Sequence, residues 1–291
     1  MKRKIMFIIN PVAGIKHKKR IPNLVEKFLD HSQFDHEIIY TEYRGHATEL
    51  AQKAVAEKYD IVAIAGGDGS VNEAGVGLLG SDVALVVLPY GSGNGLAHHL
   101  GYPKSISKVI QLINNNHRNH FDAGRVNELY FFSLVGIGFD AFVAKVFDRE
   151  KTRGFLTYAW AAIKSLFVFK PFEYKITYDG NIISGKAYII NCCNTSQYGY
   201  NIRIAPEAKT DDGILDVVII RDLKKWRAVI LVFQVMFQMT GKEKCMQRFQ
   251  CRTMKVETDG YTYLQIDGET VNKAKEFEFT VLPAALQMVI E

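Results

Sequence analysis

The stretch IVAIAGGDGSVNE, residues 61–73, decides the fold, because an apolar run stops in it at three glycines within four positions. A single carboxylate, Asp68, lies among these glycines, and the following VNEAGVGLL has the character of a helix. Two other stretches repeat the order of strand, bare turn and helix. Their turns are NPVAG at Asn10–Gly14 and PYGSGNG at Pro89–Gly95. This repetition predicts an α/β layer with its loops at one edge of a sheet.

The pattern changes after roughly residue 125, as expected at a domain boundary in a chain of this length. Residues 126–275 contain strand-like runs that follow one another, together with two apolar helical stretches, FLTYAWAAIKSLFVF and KKWRAVILVFQVMFQM. Asp179–Gly180 and Asp259–Gly260 are the residue pairs that type I′ hairpins prefer. The sequence therefore predicts an α/β domain over residues 1–125 and an all-β, sandwich-like domain with two added helices over residues 126–275. From the residues alone, the closing FEFTVLPAALQMVI fits either domain.

The glycine loops have the chemistry of an anion site. Ligands of open α/β sheets bind at the carboxyl ends of the strands, and glycine lets backbone N–H groups approach such a ligand closely. The helix that follows each loop adds its positive end. Ser70 and Ser92 each offer a hydroxyl donor. A nucleotide polyphosphate is the predicted ligand.

Asp68 does not fit a simple phosphate cradle, since a carboxylate repels phosphate. We therefore expect Mg²⁺ or a reacting hydroxyl beside Asp68. The alternative is that the loops are ordinary tight turns and that Asp68 caps a helix beginning near Ser70.

Composition places the chain among globular proteins with mildly basic character. Hydrophobic residues are 48%, charged residues 23% and the formal net charge is +5. Lys and Arg are scattered, so nucleic acid is not indicated as a partner. The four cysteines have no metal-ligand spacing, which favours inert thiols in a reducing cytosol. The basic start MKRKIMFIINPVAG favours a first strand over a signal peptide.

The motifs resemble those of the diacylglycerol kinase and sphingosine kinase catalytic-domain family. The series NPVAG, GGDGSVNE, LPYGSGNGLA, IAPEAKTDDGILDVVII, IDGE and LPAAL spans almost the whole chain in the family's order. GGDG alone is less specific, because NAD kinases and phosphofructokinases share it. The resemblance implies a phosphofructokinase- or NAD-kinase-like nucleotide domain to which residues 276–291 return. It also implies a lipid site in a cleft between the domains, and a homodimer.

The resemblance also assigns site residues. It places Glu269 of IDGE as the general base, with Asp68 in the catalytic centre. It takes Mg²⁺ ligands from KTDDGI: the Asp212 side chain and the carbonyls of Lys209 and Ile214. ATP contacts would fall on Asn10, Pro11, Gly14, Thr41, Gly66, Gly67, Asp68, Gly69, Ser70, Asn72 and Ser92.

Two alternatives and one departure qualify these assignments. Without the family, DGE reads more simply as a solvated hairpin turn, and Asp211–Asp212 as turn acids or a metal site. The departure is at Gly95. Bacterial diacylglycerol kinases have a carboxylate there in the pattern GTxND, whereas GSGNG resembles the GSGNA of sphingosine and ceramide kinases.

Three functions compete. The first is a cytoplasmic ATP- and Mg²⁺-dependent lipid kinase that phosphorylates diacylglycerol or a sphingoid-type alcohol and visits an anionic membrane. Lys224, Lys225, Trp226 and Arg227 precede an apolar run, which suits an interfacial anchor, although ordinary core packing explains both apolar helices as well. The second is a NAD kinase-like phosphotransferase. The third is a catalytically silent nucleotide- or lipid-binding regulator.

Overall fold

The computed structural model describes residues 2–13, 18–91, 93–148, 155–199, 202–221, 227, 234 and 245–290. It contains two compact units. The first unit comprises Met1–Asp122 and Pro283–Glu291, and the second unit comprises Ala123–Leu282. The predicted fold class, an α/β part followed by a β-sandwich-like part, is confirmed.

Helices alternate with strands early in the chain, and strands predominate later. The helices are α1 (Ile21–Phe28), α2 (His46–Ala56), α3 (Asp68–Leu78), α4 (Gly95–His99), α5 (Ile106–Asn115), α6 (Phe139–Asp148) and α7 (Phe155–Val168). The strands are β1 (Arg3–Ile9), β2 (Phe34–Tyr40), β3 (Ile61–Gly66), β4 (Ala84–Pro89), β5 (Arg118–Val126), β6 (Leu129–Phe131), β7 (Leu134–Gly138), β8 (Phe172–Tyr178), β9 (Asn181–Cys193), β10 (Gln197–Gly199), β11 (Ile202–Arg203), β12 (Leu215–Arg221), β13 (Met246–Cys251), β14 (Thr253–Ile266) and β15 (Glu269–Val289). No helix in the described ranges is both long enough and apolar enough to span a bilayer.

The first unit is built on a parallel sheet. Its strand order is β15, β4, β3, β1, β2, where Gln287 and Met288, near the end of β15, pair with β4. Strands β1, β3 and β4 are buried over nearly their whole length, as expected for a sheet covered by helices. Each fully buried Ile or Leu contributes roughly 1.5–3 kcal/mol.

Sequence periodicity explains the helices of this unit. In α5, Ile106, Val109, Ile110 and Ile113 are buried at the spacing of one helical face. Register then aligns the strand ends, because Ile9 pairs with Ala65 and Gly66 pairs with Pro89. The loops after β1, β3 and β4 therefore begin side by side at the carboxyl edge of the sheet.

The second unit is antiparallel. Strands β7 and β8 each pair with both β9 and β14, and β12 joins β9 to β13. Inward-facing residues of these strands and of β15 fill one core, among them Val135, Ile176, Ile190, Val256 and Phe277. The resulting layers bury the inward face of each strand.

The helices of the second unit differ in part from expectation. The predicted helix FLTYAWAAIKSLFVF corresponds to α7, whereas α6 was not predicted, because an apolar run leads into it from β7 without a break. Val143 of α6, Ala161 and Leu166 of α7 and Tyr188 of β9 pack together in a separate cluster. The second predicted helix, KKWRAVILVFQVMFQM, lies outside the described residues except for Arg227 and Gln234.

The two predicted Asp-Gly hairpins had different outcomes. Asp179 and Gly180 have φ angles of 42° and 82° and connect β8 to β9, which confirms the first prediction. The second prediction is wrong, since Asp259 and Gly260 lie inside β14. The register of β14 is irregular there, and the hydroxyls of Thr258 and Thr262 both donate to the Gly260 carbonyl, so the chain continues as a distorted strand.

Candidate active site

The loop after β1 is fastened to the start of α3. The Asn10 backbone N–H donates to the Ala65 carbonyl at 2.9 Å, and Asn10 Nδ2 donates to Ser70 Oγ at 2.8 Å. Asn10 Oδ1 accepts the Val12 N–H at 3.0 Å. Since a hydroxyl both donates and accepts, Ser70 keeps its own hydrogen for another acceptor. Pro11 lies in this loop, and Gly14 is outside the described residues.

The loop after β3 presents the N-terminus of α3. Gly67 precedes the helix without a side-chain cap, and the first intrahelical bond runs from the Val71 N–H to the Gly67 carbonyl at 3.0 Å. The N–H groups of Gly69 and Ser70 therefore have no acceptor within the helix. At Gly66 a Cβ atom would stand 2.4 Å from Ser70 Cβ, so the close approach requires glycine. This end of α3 carries the positive end of the helix dipole.

Asp68 joins the loop after β3 to the loop after β4. Asp68 is the first residue of α3, and Gly67 is at the N-cap. The alternative, in which Asp68 caps a helix beginning near Ser70, therefore places the helix start two residues too late. Its Oδ1 accepts the Gly95 N–H at 2.7 Å, at the first residue of α4. A Cβ atom at Gly93 would stand 2.9 Å from Asp68 Oδ2. The carboxylate therefore lies against the third glycine loop, and its predicted role beside a metal or a hydroxyl stays a prediction.

The loop after β4 is held by a reciprocal pair of bonds. The Gly91 N–H donates to Asn94 Oδ1 at 2.8 Å, and Asn94 Nδ2 donates to the Gly91 carbonyl at 2.7 Å. A Cβ atom at Gly91 would lie 2.5 Å from the Cα of Gly67, so the two loops touch backbone to backbone. Ser92 lies outside the described residues.

Thr41 and Asn72 complete the predicted nucleotide contacts. Thr41 follows β2, is almost fully buried, and donates its N–H to the Ile9 carbonyl at 2.9 Å. Asn72 lies in the second turn of α3 and is partly exposed. The structure thus brings the described members of the predicted nucleotide set to one edge of the first unit.

The predicted metal ligands lie in the second unit, before β12. Asp212 Oδ1 accepts the Ile214 N–H at 3.1 Å, and the side chains of Lys209 and Asp212 are exposed. Among the described residues, no cluster of three or more His, Cys, Asp or Glu side chains is placed to bind a metal. The predicted set takes two of its three oxygens from the backbone, so it does not depend on such a cluster.

The surroundings of this loop favour a cation. Asp216 Oδ2 is buried without a hydrogen-bond partner, while Gln250 Nε2 donates to Oδ1 at 3.1 Å. Burial raises the pKa of Asp216, and the charges of Asp212 and Glu207 raise it further. A cation at the loop would offset this concentration of negative charge, so the residues present fit Mg²⁺.

Glu269 follows a tight turn. It is the first residue of β15, is exposed, and pairs with Ile266 across the turn. The two turn residues, Asp267 and Gly268, have φ angles of 47° and 87°, as a type I′ hairpin requires. The backbone is therefore the hairpin that the simpler interpretation of DGE expects. The side chain of Asp267, however, is only 6% exposed.

Comparison with known proteins identifies the family. Residues 4–126 match the diacylglycerol kinase catalytic domain, and residues 133–290 match the YegS C-terminal NAD kinase beta sandwich-like domain. The chain belongs to the diacylglycerol kinase family of lipid kinases. The family inferred from the motifs is confirmed, and membership in these lipid kinases makes the protein a phosphotransferase.

Individual relatives agree. The diacylglycerol kinase of Bacillus subtilis (strain 168) is 28% identical over 276 residues, which are 92% of this chain and 90% of that protein. The diacylglycerol kinase of Staphylococcus aureus (strain bovine RF122 / ET3-1) is 29% identical over 225 residues, 76% of this chain and 71% of that one. A crystal structure described as a diacylglycerol kinase from Bacillus anthracis str. Sterne has a TM-score of 0.76, covers 99% of this chain and 97% of its own, and is 22% identical, which shows the fold.

Two features of this family member were not evident from its motifs. Gly95, which departs from the bacterial lipid kinase pattern, is buried and donates its N–H to Asp68. Asp267 accepts hydrogen bonds from three consecutive backbone amides. The signal for Asp267 was the Asp-Gly pair of IDGE, which predicts a turn but does not reveal a buried carboxylate.

Proposed function

We propose that this lipid kinase transfers the γ-phosphoryl group of ATP to the hydroxyl of a lipid alcohol, either diacylglycerol or a sphingoid-type alcohol. The observation that carries the ATP assignment is the fastening of three glycine loops around the N-terminus of α3. Amides at a helix N-terminus bind phosphate oxygens without a charged side chain. In this proposal the amides of Gly69 and Ser70 hold the triphosphate, and the Ser70 hydroxyl donates to it.

Glu269 is the proton acceptor in the proposal. Phosphoryl transfer to an alcohol needs alignment of the hydroxyl with the γ-phosphorus, and loss of the hydroxyl proton as the new bond forms. A carboxylate at the first residue of β15 has the chemistry for that step, and its exposure leaves it open to a substrate. Asp68 acts with the nucleotide in the same scheme, through its contact with the loop at Gly95.

Mg²⁺ is part of the proposal as a bound ion. The Asp212 carboxylate and the carbonyls of Lys209 and Ile214 would hold it, with Asp216 close by in the chain. When bound, the ion supplies positive charge that offsets the acidic side chains of this loop. Burial chiefly, and the charges of Asp212 and Glu207 to a lesser degree, raise the pKa of Asp216, and a cation bound beside it would favour its ionised form.

Contact with an anionic membrane is proposed through α7. Trp160, Phe167 and Val168 are 57%, 63% and 71% exposed on this helix. The Lys164 ammonium lies 5.2 Å from the centroid of the Trp160 ring, and Lys170 is exposed just beyond the helix. Aromatic and apolar side chains beside lysines suit the interface of an acidic bilayer.

A vesicle flotation experiment tests the membrane contact. We expect the double variant Trp160→Ala, Phe167→Ala to lose most of its binding to vesicles of phosphatidylcholine with phosphatidylglycerol. The matched control is Ile182→Ala with Tyr261→Ala, which removes equally exposed apolar side chains from strands of the same unit. Equal flotation of the two double variants would contradict the assignment of α7.

Transfer of label from γ-labelled ATP tests the function. We offer the protein diacylglycerol, sphingosine, ceramide, NAD and no acceptor, and we expect label on a lipid alcohol only. Glu269→Gln should lower turnover by about 10²- to 10⁴-fold while nucleotide binding is kept. Glu278→Gln, the same change at another exposed position of β15, is the control. Label on NAD, or on no acceptor at all, would overturn the proposal in favour of a NAD kinase or a silent regulator.

A further inference from the structure

Asp267 has an environment that a turn residue does not need. Its carboxylate accepts the Phe132 N–H on Oδ2 at 2.9 Å, and the Ser133 and Leu134 N–H groups on Oδ1 at 2.8 and 3.0 Å. In return the Asp267 N–H donates to the Leu134 carbonyl at 3.0 Å. Three amides satisfy a carboxylate whose burial would otherwise be strongly unfavourable.

The other Asp-Gly turn of the second unit shows what a turn alone requires. Asp179 and Gly180 have nearly the same φ angles as Asp267 and Gly268. Yet Asp179 is exposed, and its Oδ2 accepts a hydrogen bond from the Arg252 N–H at a longer 3.3 Å. The buried carboxylate of Asp267 is therefore not explained by the geometry of a type I′ turn.

A second buried side chain holds the far side of the turn. Gln265 is 2% exposed, and its Oε1 accepts the Gly268 N–H at 2.7 Å. Its Nε2 donates to Asp140 Oδ2 at 3.5 Å, and Asp140 is itself buried at the start of α6. Gly268, immediately before Glu269, is thus attached to a buried polar network. Asp267, one position earlier, is held by the hydrogen bonds of its own carboxylate, and we call these bonds the clamp.

We propose that Asp267, supported by Gln265, is a positioning residue for Glu269. The clamp fixes the backbone from which the Glu269 carboxylate projects, although Glu269 itself is exposed and on a tight turn, where a backbone is usually mobile. This inference rests on the proposed role of Glu269 as the proton acceptor. Without the clamp the Glu269 carboxylate is still present, but it is spread over several positions. Fewer enzyme–substrate complexes then have the carboxylate in the position that the reaction needs.

Asp267→Asn is the direct test. Asparagine adopts the left-handed turn conformation as readily as aspartate. Its amide, however, replaces one accepting oxygen by a donor that faces backbone N–H, so one side of the clamp is lost. We expect kcat to fall about 10- to 100-fold with KM for ATP unchanged within a factor of about two. Asp179→Asn, the same substitution in the exposed turn, should change neither constant.

A double-variant cycle separates positioning from general damage. If Asp267 acts through Glu269, then Asp267→Asn should cause no further loss of turnover in a Glu269→Gln background. A loss that adds fully to that of Glu269→Gln would overturn the proposal, as would full activity of Asp267→Asn. Full activity of Glu269→Gln alone would instead refute the proposed base, so the two failures are distinguishable.

A second variant covers loss of folding. If circular dichroism shows that Asp267→Asn melts below the assay temperature, Gln265→Met removes the acceptor of the Gly268 N–H while keeping the side-chain volume. We expect the same reduced kcat, the same unchanged KM and the same lack of additivity with Glu269→Gln. Wild-type turnover of a folded Gln265→Met protein would overturn the inference.

Discussion

The Asp179–Gly180 and Asp267–Gly268 turns have the same backbone and opposite side-chain environments. In both, the Asp and Gly residues have positive φ and connect neighbouring antiparallel strands. Asp179 is exposed, whereas Asp267 is buried against three consecutive amides. The difference shows that one and the same turn geometry can leave its carboxylate exposed or bury it against backbone amides, and that contacts distant in the chain decide which.

Replacing each aspartate by alanine should give the largest contrast between the two turns. Both substitutions place alanine at a left-handed φ, so that penalty is shared. Asp267→Ala additionally leaves the Phe132, Ser133 and Leu134 amides without their acceptor, and we expect it to lower the free energy of unfolding by about 3 kcal/mol more than Asp179→Ala.

Tryptophan fluorescence during urea unfolding measures this contrast. Both tryptophans of the chain, Trp160 and Trp226, fall within the residue range of the second unit, so the signal reports that unit. This matters because two compact units need not unfold in a single transition. Equal midpoints for the two alanine variants would show that the amide clamp contributes nothing to stability.

Replacing Gly268 or Gly180 by alanine should lower the free energy of unfolding by a smaller amount, which we expect to be the same for both turns. Gly268 and Gly180 have φ angles of 87° and 82°, and a Cβ atom at either would meet nothing within 4 Å. The strain of Gly→Ala is therefore purely in the backbone, about 1–2 kcal/mol at each site. We expect equal losses in urea unfolding, with reduced kcat for Gly268→Ala alone. Reduced turnover in Gly180→Ala would mean that the Asp179–Gly180 turn also influences the reaction.

The fold was predictable where its signals are local. The alternation of strands with helices and the glycines after β1, β3 and β4 lie within short windows of sequence, and both were interpreted correctly. Asp259–Gly260 was misread, because the hydroxyls of Thr258 and Thr262 keep the chain in β14 where the dipeptide alone favours a turn. Helix α6 was missed because Phe139 continues the apolar run of β7.

The site was predictable only as a set of residues. The motifs indicated Asp68 and Glu269, but the bond from Gly95 to Asp68 joins residues 27 positions apart. The amides that bind Asp267 belong to Phe132, Ser133 and Leu134, which precede it in the chain by 135, 134 and 133 positions. Such pairings depend on how the strands assemble, and no periodicity or spacing in one sequence specifies them. The proposed roles of these residues in catalysis stay predictions.

The smallest expected effect concerns the charge of the exposed turn. Burial, and to a lesser degree the Asp179 carboxylate, raises the pKa of the Cys251 thiol to about 12. Because the raised pKa favours the neutral thiol, Cys251 should stay protonated as the pH rises from 7 to 10. Asp179→Asn removes only the lesser cause, so we expect no ionisation in that range in the variant either. The ¹³Cβ chemical shift of labelled Cys251, followed by NMR as the pH is raised, measures this ionisation. A titration midpoint below pH 10 in Asp179→Asn would show that the Asp179 carboxylate, and not burial, is the main cause of the raised pKa.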